Sequence, residues 1–67
     1  MDITKTRCFK ESKIIAEKMN AKEGYVKIDS LKNWVVWLGE QENLSIDNVQ
    51  KIFDYFIWNA GYTTRTY

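Results

Sequence analysis

Apolar residues recur at helical spacing over three stretches of the chain and alternate over one short one. The most sharply bounded stretch is 45–60. There Val49, Ile52, Phe53, Phe56, Ile57 and Ala60 fall on one stripe when each residue is turned by about 100° from the last. Ser45 marks the start, because its hydroxyl can accept from the unpaired amides of a first turn. Leu44 and Val49 then take the two positions of a hydrophobic staple, and Asp47 meets the positive end of the helix dipole. Gly61 marks the end, since glycine adopts a left-handed backbone without steric cost. Trp58 lies opposite the stripe, with Tyr55 on the flank nearer to it and Lys51 on the same outer side. A tryptophan without a core role is what an interface anchor looks like.

Two further helices follow from the same spacing. Over 7–20, Cys8, Ser12, Ile15, Ala16 and Met19 form one face, with Phe9 at its edge and either Thr4 or Thr6 as cap. Ile14 points away from that face, among lysines and glutamates. Over 30–38, Leu31, Trp34, Val35 and Leu38 form the inner face, Trp37 the edge, and Val36 points outward. Asp29 is the expected cap and Gly39 the expected end of this helix. It is apolar nearly all round, which implies a central position or cover from a partner. Tyr25-Val26-Lys27-Ile28 alternates as a strand does. Its available partners are residues 2–8, which read as a short strand or extended arm, and the β-prone tail 62–67.

These elements predict a mainly α fold, α+β in a minor way: a three-helix compact domain with a small two- or three-stranded β element. The expected core is Cys8, Ile15, Met19, Leu31, Trp34, Val35, Leu38, Val49, Ile52, Phe53, Phe56 and Ile57. With 67 residues there is room for one domain, 1–67, and a chain this short buries only ~60% of its unfolded surface. Ten aromatic residues answer that shortage, each bringing a large buried area.

Composition excludes most chemistry. The absence of histidine removes imidazole acid–base catalysis, triads and most zinc sites. One cysteine makes neither a redox pair nor a thiolate cluster, and the three glycines stand too far apart for a phosphate loop. Segment 20–32 resembles a calcium hand only in having Gly24 between two helices; the oxygen ligands are missing. The expectation is therefore no enzyme, no cofactor and no metal. A lone cysteine, no apolar run of ~20 residues and an N-terminus unlike a signal peptide point to the cytoplasm and away from the membrane.

Function follows by elimination: a non-catalytic protein-binding module, a small stand-alone regulator or inhibitor of the kind found in phages and mobile elements. The expected partner-binding residues are Trp58, Tyr55, Lys51 and Val36, with a homodimer through Val36 and Trp58 as a further reading. The alternative is a small nucleic-acid-binding regulator of helix-turn-helix or winged-helix type. Its phosphate contacts would come from Lys10, Lys13 and Lys18, on the lysine-rich face of the first helix. Nucleic acid is the less favoured partner. Net charge is only +1, and the last helix presents Asp47 and Asp54 where a recognition helix needs donors.

Overall fold

The computed structural model describes residues 1–66. A 3₁₀ turn, Ile3–Lys5, leads into α1, Arg7–Glu23; β1, Val26–Lys27, runs directly into α2, Ile28–Gln41. Next comes α3, Ile46–Asp54, which continues as a π-helical turn, Tyr55–Asn59, and the chain then reaches β2, Thr64–Arg65. The fold is mainly α with a minor β part. Its sheet has two strands, parallel, with Val26 opposite Thr64 and Lys27 opposite Arg65. The tail supplies the partner of β1, although Tyr67, the last residue of the expected strand, lies outside the described residues. Residues 3–8 form no strand. Asp2 accepts from the Thr4 amide at 3.0 Å, and the Thr6 hydroxyl donates to the Ile3 carbonyl at 2.7 Å, so local bonds coil this segment into the start of α1.

The first turn of α1 has every amide satisfied. The Thr6 side chain accepts from the Phe9 amide at 3.1 Å, and the Thr6 carbonyl from the Lys10 amide at 3.2 Å. The remaining two are taken from across the fold: Glu42 accepts from the Arg7 amide at 3.1 Å and from the Cys8 amide at 2.8 Å. A carboxylate thus sits on the positive end of α1 and ties it to the far end of α2. The helix runs to Glu23, three residues beyond the expected boundary, and stops at Gly24 with φ +79°.

Helix α2 departs most from expectation. Asp29 is not its cap; the strand feeds straight into the helix, Lys27 occupies the cap without a side-chain bond, and Asp29 lies in the first turn. Nor does Gly39 end it. Gly39 is buried within α2, pressed against the Val49 side chain of α3. Two residues past Gln41, Asn43 takes φ +58°. There the Leu44 amide donates to the Gly39 carbonyl at 2.9 Å and the Asn43 amide to Glu40 at 3.2 Å, the pair of bonds that closes a Schellman ending.

One buried cluster holds the elements together: Cys8, Phe9, Ala16, Val26, Leu31, Val35, Leu38, Ile52 and Phe56. Ile15, Met19, Val49, Phe53 and Ile57 pack around it half-buried. Trp34 does not join them, contrary to the expected core; it is 47% exposed. Leu31, Val35, Leu38 and Gly39 of α2 face inward, Gly39 close against Val49, and Trp34 falls on the flank beyond. Ser45 caps α3, accepting from the Asn48 amide at 3.2 Å. In the π turn, the Ala60 amide donates to the Tyr55 carbonyl at 3.0 Å; at its start Tyr55 and Phe56 stand side by side on Phe9, all three ring pairs 5.0–5.2 Å apart.

Candidate functional site

The expected contact residues on the last helix differ in exposure. Trp58 stands 78% exposed and Lys51 is exposed beside α3's polar side. Tyr55, however, is half-buried against Phe9 and Phe56, so it belongs to the core edge more than to a surface shared with Trp58. Val36 is exposed on α2, a different helix. The lysines of the nucleic-acid reading part as well. All three are exposed, but Lys18 borders a depression with Lys22, Lys27 and Trp34, while Lys10 and Lys13 turn to another side of α1 at helical spacing.

The side chains that do come together are Ile14, Trp34 and Trp37. The start of α1 lies beside the end of α2, where Arg7 and Glu11 meet Leu38, Gln41 and Glu42. The end of α1 lies beside the start of α2, where Lys22 and Glu23 meet Lys27 and Ser30. The two helices are therefore antiparallel, and an open groove runs between them. Ile14, which α1 cannot bury, and the two tryptophans of α2 line its middle. Ile14 and Trp37 are each 52% exposed. The indoles meet edge to face, with centroids 6.0 Å apart and planes at 87°, the arrangement that ring quadrupoles favour.

Trp34 borders two depressions along this groove, of about 390 and 340 Å3, and a third of about 420 Å3 lined by α2 alone, with Ser30, Asn33 and Trp37. Such volumes match the lower end of ligand sites, ~300 Å3 and upward. All three open to solvent, which suits side chains of a docking surface better than an enclosed cofactor. Among the described residues, no group of three His, Cys, Asp or Glu side chains is placed to hold a metal ion.

Charge is distributed unevenly along the groove. At the Arg7 end, Arg7 pairs with Glu11 at 3.0 Å, and Glu42 is engaged by the amides of α1. At the other end stand Lys18, Lys22 and Lys27 against a single carboxylate, Glu23. A hydrogen bond from the Tyr25 hydroxyl, assisted by Lys27, holds the Glu23 carboxyl below its usual range. Glu23 contacts Lys27 at 3.4 Å, and a positive surplus remains around Trp34.

The sequence contained both signals for this face: an α2 apolar nearly all round, and an Ile14 off the core stripe of α1. Their adjacency is a tertiary fact. No protein-family model matches the chain, and no curated protein or solved structure matches it either. Among the described residues, no helix is long and apolar enough to cross a membrane.

Proposed function

We propose that this chain is a non-catalytic protein-binding module, a small regulator or inhibitor that engages another protein through the Ile14–Trp34–Trp37 face. One observation carries the reading: two tryptophans stand about half in water, packed edge to face, on a single open groove. Between them they leave about one tryptophan's worth of surface exposed, up to ~250 Å2. Covering it yields roughly 6 kcal/mol before the costs of association, enough for an anchor. Large apolar groups left this way mark contact sites. The absence of histidine and the position of Cys8, wholly buried with its thiol pushed up by burial, support a role without nucleophilic or acid–base chemistry. The reduced thiol also favours the cytoplasm as the compartment.

The test is Trp34→Ala/Trp37→Ala, with capture of interacting proteins from the host extract and thermal melting measured on the same preparation. Loss of the captured protein with melting shifted by only a few degrees supports the face as the contact surface. Unchanged capture removes it. Trp58→Ala in the same assay reads the outer side of the last helix, and loss there alone returns the contact surface to Trp58.

A further inference from the structure

Resting on that reading, we infer that the groove between α1 and α2 takes an acidic amphipathic helix from a partner protein, with its carboxylates at the Lys18–Lys22 end. The centre of the groove is apolar, and its walls are two antiparallel helices, so a third helix can lie along it with anchors at i, i+3 or i+4. Trp34 and Trp37, themselves three residues apart, present neighbouring rings to such anchors.

Charge selects the occupant. Lys18 and Lys22 are one helical turn apart on the flank of α1 and form no ion pair among the described residues, both pairs found there lying elsewhere. Lys27 is held by Glu23 at 3.4 Å. At the opposite end Arg7 is matched by Glu11, and the Glu42 carboxylate is occupied at 2.8 and 3.1 Å by two backbone amides. The groove therefore offers uncompensated positive charge at one end and none at the other. A second copy bound across a two-fold axis would bring its lysines to the end where the carboxylates are already engaged. A nucleic acid would find an apolar floor and two free cations, too few for strong phosphate attraction. An acidic helix satisfies both the floor and the rim.

The probe is a displayed library of helix-stabilised peptides, randomised on one face. It is selected on the full chain and counter-selected on Trp34→Ala/Trp37→Ala. The expected result is enrichment of leucine, isoleucine or phenylalanine at helical spacing together with aspartate or glutamate toward one end. On Lys18→Glu/Lys22→Glu, binding of an enriched peptide should fall about ten-fold, and fresh selection should turn from acidic to basic sequences. Enriched peptides that need the tryptophans but show no acidic bias, or that are indifferent to the lysine reversal, overturn the acidic partner and leave the protein-binding reading standing. No tryptophan-dependent peptide at all overturns both. Sedimentation that shows a dimer dissociated by the tryptophan substitutions makes a second copy the occupant. Binding of a labelled DNA duplex that is lost on lysine reversal makes it a nucleic acid. Either result overturns the inference.

Discussion

Replacing Gly39 by alanine should destabilise the protein, although alanine is the better helix former. In an exposed helix the change is worth about 1 kcal/mol in favour of alanine. At position 39 the added methyl would meet Cγ2 of Val49 well inside contact distance, while Val49 Cβ would lie at 3.6 Å, an ordinary separation. Val49 cannot easily swing aside, because a valine in a helix is held in essentially one rotamer. Forcing a methyl into such a contact costs about 1–3 kcal/mol, which leaves a net loss of about 1 kcal/mol. For a domain of this size that lowers Tm by roughly 4–8 °C. The same geometry predicts a reversal of sign. With Val49→Ala in place, the clashing methyl is gone and the remaining Cβ fits, so Gly39→Ala should then stabilise by up to about 1 kcal/mol. The cycle of four proteins, melted in urea and by heat, should return a coupling of about 2 kcal/mol. Stabilisation by Gly39→Ala alone would refute the reasoning.

Three further outcomes are expected. Gly61 has φ +81° and nothing within 4 Å of where a Cβ would stand, so Gly61→Ala should cost about 1 kcal/mol from backbone strain alone, read by denaturant unfolding. Glu42→Ala leaves the Arg7 and Cys8 amides without their partner and should cost about 1–2 kcal/mol, with faster amide exchange confined to the start of α1. Burial raises the Cys8 thiol above its ordinary range. The unfolded chain therefore releases that proton first, and the thiol's contribution, full below ~8.5, is lost as pH rises beyond it. Between about pH 8 and 10 the stability of the wild type should fall more steeply than that of Cys8→Ala. Equal slopes would refute this.

The borders of the last helix show how far local chemistry reaches. Ser45 caps it and Gly61 turns out of it with positive φ, as the sequence implied, because both effects act over three or four residues and need no tertiary partner. The alternation at 25–28 likewise marked a strand, but left its partner open between residues 2–8 and the tail; the structure pairs it with Thr64–Arg65. What failed were the positions governed by contacts between elements. Gly39 reads as a helix end in isolation, and it becomes the middle of a helix because α3 approaches there. Asp29 reads as a cap, but the paired strand Val26–Lys27 runs straight into a helix that begins at Ile28, so Asp29 lies in its first turn. The π turn at Tyr55–Asn59 changes the phase of the residues that follow Tyr55, a shift that a uniform period of 3.6 cannot express.

By itself, then, the sequence determined the three helices, the Ser45 cap and Gly61 ending of the last one, a strand at 25–28 that needed a partner from one terminus or the other, and the residue types available for chemistry. It determined that Ile14 and one side of α2 had more apolar surface than their own helices could bury. Only the tertiary structure decided where that surplus went. The rotation of α2 places Gly39 against Val49, and the antiparallel course of α1 gives Trp34 and Trp37 their neighbour. Both are contacts between residues distant along the chain. They depend on how two surfaces fit, and a periodic pattern along one helix carries no information about the shape of the other.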